Sequence, residues 1–294
     1  MKREQWLEER RTGIGGSDVA GILGVSKWSS PMDVYLSKIG QADELAESPA
    51  MRWGTLLEAA IRDEFARVMG VEVQQCGMIR SELHPFMIAN VDGLVGDSEI
   101  LECKTARSAD GWGEAGTNEI PVYYITQVMH YLAVTGRELA HVAVLIAGSD
   151  FRTYVVERDE AFIEDLIEAE RAFWFDHVIQ RIPPDPVNAE DAKKIWPQDC
   201  GMSLEVDEPV KVKVSLLKEA KLDLKAAEER VAFFEDEIRL AFGEYAALTW
   251  HGDVIATYKS QSSNRIDTTA LKSEMPDVAA KYTKQSSTRV LRIK

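Results

Sequence analysis

The sequence is poor in cysteine, in basic charge and in long apolar runs. Cys76, Cys103 and Cys200 stand far apart and form no Cys-x-x-Cys pair. That excludes a disulfide framework and fits a reducing, intracellular setting. No uncharged apolar run approaches the roughly 20 residues needed to cross a bilayer. The opening stretch, Met-Lys-Arg-Glu-Gln-Trp-Leu-Glu-Glu-Arg-Arg, has no apolar core and is not a signal peptide. A cytoplasmic protein is therefore expected, with no membrane partner. Internal repeats and low-complexity tracts are missing as well. Lys and Arg number 34 against 49 Asp and Glu, a net charge of -15. By itself that argues against a nucleic-acid partner. The deficit is uneven, however. From Lys259 to Lys294, eight basic residues stand against three acidic ones, a local +5 that leaves -20 on the other 258 residues. An acidic body can still bind a polyanion if its carboxylates hold divalent cations and its basic groups line one groove.

What is present is a chain of 294 residues, 45% hydrophobic and 28% charged, enough for one large domain or two small ones. Gly13-Ile14-Gly15-Gly16 is a glycine turn, and Ser17 is expected to cap a short helix through Ile22. Ser30-Pro31 opens a second helix ending near Gly40. A longer helix is predicted over 51–68. Its buried face is expected to carry Leu56, Leu57, Ala60, Ile61, Phe65 and Val68. Strands are predicted over 71–79, 86–92 and 99–104, a helix over 121–134, a hairpin of 141–147 and 151–157, and a helix over 161–180. This order reads as a mixed α/β core. Pro183-Pro184-Asp185-Pro186 is the best boundary signal. It divides a core domain, 1–182, from a linker, 183–209, and an extension, 210–294. The extension is expected to begin with a helix over 210–242. An a/d seam of Leu217, Ala220, Leu224, Ala227, Val231, Phe234, Ile238 and Ala241 packs on its own domain, sits in a helical hairpin or forms an intermolecular coiled coil. A hairpin over 250–260 and a short basic strand over 289–294 close the chain.

The sharpest chemical feature is Asp92 followed by Glu102-Cys103-Lys104. Alternate residues of a strand share a face, so Glu102 and Lys104 point the same way. An antiparallel return of this length brings Asp92 beside Glu102. Two carboxylates and a lysine converging at a sheet end suit phosphodiester hydrolysis. Carboxylates hold one or two Mg²⁺ or Mn²⁺ ions, and the Cys103 carbonyl is a further candidate ligand. A lysine can orient or activate water. Alone the pattern also fits a surface salt-bridge ladder, but apolar Val91 and Leu101 partly bury the acids, which is costly without a cation. Gln127 and Tyr131 lie four apart on one helix face, and Glu58 sits among Leu56, Leu57 and Ile61.

Four motifs in order give the chain a family resemblance over 6–180. They are Arg10-Arg11-Thr12-Gly13-Ile14-Gly15-Gly16-Ser17-Asp18; Gly54-Thr55-Leu56-Leu57-Glu58; Asp92-Gly93 with Leu101-Glu102-Cys103-Lys104-Thr105; and Tyr124 with Gln127 to Tyr131. The chain resembles the phage lambda-type exonuclease, or YqaJ-like viral recombinase, branch of the PD-(D/E)xK nucleases. The resemblance implies a restriction-endonuclease-like core: a mixed central sheet flanked by helices. Asp92, Glu102 and the Cys103 carbonyl would be metal ligands, Glu58 would support a second ion, and Lys104 would be the catalytic lysine. Gln127 and Tyr131 match the Gln-x-x-x-Tyr motif. Arg10 and Ser17 match the positions that grip a 5′ phosphate, with Arg11 competing for Arg10's place; glycines at a helix N-terminus suit an anion, and Arg clamps it bidentately. Val91 stands where the superfamily name puts Pro. The implied activity is Mg²⁺-dependent degradation of double-stranded DNA from ends, 5′ to 3′, in phage-type recombination, encoded by a phage or prophage in a bacterial host. Implied partners are a single-strand annealing protein and further copies of the chain. The extension would serve oligomerisation, DNA contact or partner binding. An endonuclease of the same fold and a non-cleaving DNA-binding protein are the alternatives. An iron–sulfur nuclease is disfavoured, since three isolated cysteines cannot supply four thiolates.

Overall fold

The computed structural model describes residues 8–42, 48–284 and 289–293. Trp6, inside the resemblance, and Lys294, the end of the expected terminal strand, lie outside them. The chain forms two compact units, 1–195 and 196–294.

The first unit is built on two sheets. The elements are β1 (Ile14–Gly15), α1 (Gly16–Ile22), α2 (Pro31–Lys38), α3 (Pro49–Met69), β2 (Val73–Gln74), β3 (Ile79–Arg80), β4 (Met87–Ala89), β5 (Gly93–Val95), β6 (Glu99–Ala106), α4 (Val122–Thr135), β7 (Leu139–Ile146), β8 (Asp150–Glu157), α5 (Glu160–Ala172) and α6 (Ala189–Ile195). The larger sheet has the order β2-β5-β6-β7-β8 and is mixed, because β6 and β7 run parallel between antiparallel neighbours. The smaller sheet is β1-β4-β3, with β1 parallel to β4. The expected strands over 71–79 and 86–92 are each corrected here. The first breaks into β2 and the start of β3; the second shortens to β4, and β5 begins at Gly93, where a separator was expected, because the chain crosses from one sheet to the other at both places. Apolar alternation reports a buried face but not which strand will pair.

Helices cover both faces of the large sheet. Ser48 caps α3 by accepting from the Met51 N–H at 3.2 Å, and Gly70 ends it with φ +67. Ile61 and Phe65 of α3 pack with Val95, Leu101 and Ala143. Phe65 is fully buried, and truncating it to alanine is expected to cost about 3–5 kcal/mol. Leu56, Ala60 and Val68, expected on the buried face, are exposed: the stripe that meets the sheet is narrower than the periodicity suggests. On the other face Val128 and Leu132 of α4 pack with Ile100, Val142 and Val144. The helix expected over 161–180 is α-helical only to Ala172, and Phe173–Ile179 is a π-helical segment. The wider turn lets Phe173, Trp174 and Val178 all reach the core. Past the proline run, Asp191 of α6 is buried and accepts from Ser30 Oγ at 2.7 Å, so the first unit continues to Ile195.

The second unit begins with α7 (Glu208–Phe242), capped by Asp207, which accepts from the Val210 N–H at 3.2 Å. A hairpin of β9 (Ala247–Trp250) and β10 (Asp253–Thr257) follows. His251 and Gly252 have φ of +50 and +94, the conformation that two-residue hairpin turns require. Two short helices, α8 (Thr268–Glu274) and α9 (Pro276–Tyr282), occupy the basic stretch. Residues 289–293 form no strand, contrary to expectation: they find no partner edge among the described residues. No helix among the described residues is long and apolar enough to cross a membrane.

Candidate active site

The alternation of β6 sorts its side chains. Ile100 joins the core under α4, whereas Leu101 and Cys103 join the cluster under α3. Glu102 and Lys104 therefore point toward α4. Glu102 is buried, and its Oε1 accepts from Lys104 Nζ at 2.5 Å and from Gln127 Nε2 at 2.8 Å. Gln127 Oε1 in turn accepts from Lys104 Nζ at 3.0 Å, and its Nε2 also reaches Tyr131 Oη at 3.0 Å. The four residues make one closed polar network. Burial works against the Lys104 ammonium, but Glu102 beside it more than compensates and raises its pKa. The ammonium also lies 4.7 Å above the Tyr124 ring.

Asp92 sits at the crossing from β4 to β5. Gly93 pairs with Leu101 across the antiparallel ladder, which puts Asp92 opposite Glu102. Its Oδ2 accepts from the Cys103 N–H at 2.7 Å. Burial, then the Glu102 charge, push Asp92 up to about 7. Glu58, on α3, is raised by burial and by Asp92. Arg62 approaches Glu58 Oε1 at 3.5 Å and donates to the Asp92 carbonyl at 3.4 Å. Cys103 contributes its backbone N–H to Asp92, while its thiol joins the apolar cluster under α3 and is pushed well up by burial and by the neighbouring acids.

The glycine turn forms the other end of the site. Here the expected cap is corrected: Gly15, not Ser17, is the N-cap of α1, and Asp18 reaches back to accept from the Gly15 N–H at 2.8 Å. Ser17 is left to accept from Arg10 Nη2 at 2.7 Å. Arg10 also pairs with Asp18 at 3.0 Å, and Asp18 with Lys38 at 2.5 Å. Lys38 is buried and donates to the Arg10 carbonyl at 2.8 Å. Burial opposes the Asp18 charge, but Lys38 and Arg10 outweigh it and hold the carboxyl below its usual range. Sequence reasoning missed Lys38. Nothing in a lysine at the end of an amphipathic helix announces that it turns inward.

Arg10, Ser17, Glu58, Asp92, Glu102 and Tyr131 all line one cleft of about 340 Å³. Lys104 and Gln127 join it through Glu102. Arg11 does not line it; it lies beside Gly40. Gly16 is pressed on Tyr131, where a Cβ would come within 2.5 Å of the ring. Asn90 and Gln75 also line the cleft, and neither was singled out from the sequence. Among the described residues no three His, Cys, Asp or Glu side chains are gathered as a ready metal centre. The donor chemistry nonetheless suits a hard cation. Two carboxylates share the interior, and Glu102 Oε2 is buried with no hydrogen-bond partner, a costly arrangement that a cation would relieve.

The chain matches the YqaJ-like viral recombinase domain over residues 5–138. It is 35% identical to the protein YqaJ of Bacillus subtilis (strain 168) over 306 aligned positions, covering all of this chain and 95% of that one. A crystal structure of the alkaline exonuclease LHK-Exo from Laribacter hongkongensis superposes with a TM-score of 0.50 at 22% identity, over 61% of this chain and 94% of that one. LHK-Exo in complex with dAMP gives 0.50 and 22%, over 65% and 97%. The architecture is the PD-(D/E)xK fold of the phage-type exonucleases, and the chain belongs to the YqaJ-like viral recombinase family.

Proposed function

We propose that the protein is a divalent-cation-dependent deoxyribonuclease that degrades double-stranded DNA from its ends, 5′ to 3′, in phage-type recombination. The observation that carries this reading is the single cleft. It joins an anion-binding end, with Arg10, Ser17 and the N-terminus of α1, to an acidic end, with Glu58, Asp92 and Glu102. A nuclease that recognises a 5′ phosphate needs both ends in one channel; an enzyme that cuts inside a strand has no use for the first. LHK-Exo, which shares the fold, is a nuclease that binds dAMP, the kind of product such a step releases.

Each residue has work that follows from its place. Asp92, Glu102, the Cys103 carbonyl and Glu58 would hold the cation. Bound there, Mg²⁺ or Mn²⁺ would supply Lewis-acid stabilisation of the phosphate charge and make water acidic enough to attack at neutral pH. Lys104 keeps its proton because of Glu102 and offers a fixed positive charge to the phosphate oxygens. Gln127 hydrogen-bonds both the Lys104 ammonium and the Glu102 carboxylate and ties them to Tyr131. Arg10, braced by Asp18, binds the terminal phosphate.

The test uses one plasmid in two forms, closed circular and linearised with 5′ phosphates. With Mg²⁺, the linear form alone is expected to disappear, EDTA to stop the reaction, and Asp92→Ala and Lys104→Ala to abolish it. Cutting of the circle would replace this reading by an endonuclease and free Arg10 of its role. If both forms survive, a DNA-binding protein without cleavage takes its place.

A further inference from the structure

Helix α7 carries a seam that nothing described in its own unit covers. Heptad positions a are Val210, Leu217, Leu224, Val231 and Ile238. Positions d are Lys213, Ala220, Ala227, Phe234 and Ala241. All ten are exposed except half-buried Ala227, and Leu224 and Phe234 are 58% and 61% exposed. The seam is roughly 45 Å long. We infer that a second copy of the chain covers it, its α7 running antiparallel with Leu224 of one copy level with Ala227 of the other.

Side-chain size selects the direction. In an antiparallel pair each a residue faces a d residue of the other copy. At this register Leu217 meets Phe234, Leu224 meets Ala227, Val231 meets Ala220 and Val210 meets Ala241. Three of the five layers then join one large and one small side chain, with Leu217 against Phe234 as the one bulky apolar layer. The layer of Ile238 and Lys213 falls toward the rim, where a lysine can turn its ammonium outward. A parallel pair would stack Ala on Ala at 220, 227 and 241, leaving voids, and Phe on Phe at 234.

Charge selects the register. The flanking e positions hold Lys221 and Glu228, and the g positions Asp223 and Arg230. Lys221, Asp223 and Arg230 have no opposite charge three or four residues away on their own helix. None of the four appears in an ion pair among the described residues, whereas Arg239 pairs with Glu235 and Asp236, and Lys225 with Glu229. In the antiparallel pair Lys221 faces Glu228 and Asp223 faces Arg230, each twice by symmetry, and no like charges meet. Sliding one heptad one way sets Asp223 against Asp223 and Lys221 against Lys221. Sliding the other way sets Arg230 against Arg230 and Glu228 against Glu228. The parallel pair sets Asp223 against Glu228, which offsets its one favourable contact, Arg230 with Glu235. Only one of these arrangements satisfies both size and sign.

Two measurements decide it, both on the full chain. Sedimentation velocity at tens of micromolar is expected to give a multiple of the single-chain mass, and Val231→Asp to halve it. Val231 is exposed in the single chain, so the variant should fold, with its circular dichroism unchanged. A single-chain mass for the wild type, or an unchanged mass for Val231→Asp, overturns the proposal, whether or not another protein binds. Direction is read by oxidative cross-linking in a Cys200→Ser background. A mixture of Val210→Cys and Ala241→Cys chains is expected to form mixed disulfides, and Val210→Cys alone none. Self-linked Val210→Cys would establish a parallel pair and overturn the register.

Discussion

Asp92 shows how much of a site's chemistry resides in one residue's surroundings. It stands beside Glu102 in the interior and is pushed up to about 7 from an ordinary 3.8. Between roughly pH 4 and 7 the folded chain therefore keeps a proton that the unfolded chain has lost. Cation-free protein should lose stability as pH rises through that window, by an amount on the order of 2–4 kcal/mol, with the loss complete above about pH 7. Asp92→Asn should remove this part of the slope. Chemical denaturation of both proteins in EDTA at pH 5 and pH 8 checks it, and parallel slopes would show that Asp92 is not the group responsible. The pairing of Asp92 with Glu102 was legible in the sequence, since strand alternation and the short return impose it. The brace on Arg10 was not. Lys38 lies 28 residues from Arg10 along the chain, and only the fold brings it there.

At the scale of elements, periods were easier to read than partners. Helices α2, α3 and α7 begin at Ser30, Ser48 and Asp207 and carry Pro in the first turn, a local signal that needs no tertiary contact. The strands around Asp92 depend on which sheet claims them, and short apolar runs cannot tell. Two elements that look unrelated in sequence meet in space: the loop after α1 and the first turn of α4. Exposed Trp28 packs edge-on to Tyr123 at 4.8 Å, Tyr123 to Tyr124 at 4.6 Å, and Lys104 lies over Tyr124. Lys27 lies 5.4 Å from the Tyr123 ring centroid. The run leads from the network around Lys104 to the surface, with a cation near each end. Trp28→Ala is expected to weaken single-stranded DNA binding roughly 5- to 100-fold, the worth of one stacked base, and to leave hydrolysis of a small chromogenic phosphodiester unchanged. Unaltered affinity in a filter-binding assay would show that no base stacks there.

For the whole molecule, an acidic balance averages over the surface and says little about one cleft, which sets Arg10 at one end and carboxylates at the other. On the proposed function, the cleft's few basic groups matter more than the sum over the surface. Its parts also lie within the first unit, which closes on itself through Asp191 and Ser30. A chain ending at Ile195 is expected to keep cation-dependent cleavage of short duplexes, whereas on long linear DNA the loss of the extension should reduce the number of nucleotides removed per encounter. Failure of that chain to cleave even a short duplex would place part of the machinery beyond Ile195.

Gly16 and Tyr131 touch where no side-chain carbon would fit between them. That contact sets the interval between α1, which follows the glycine turn, and α4, which carries Gln127. A fixed interval of this kind acts as a gauge. If a strand end is seated at Arg10, as proposed, the same internucleotide bond is offered to the acids each time, so fragments should leave in one size. Adding a single methyl at position 16 would spread the jaws and, beyond slowing the enzyme, should blur that size on a sequencing gel.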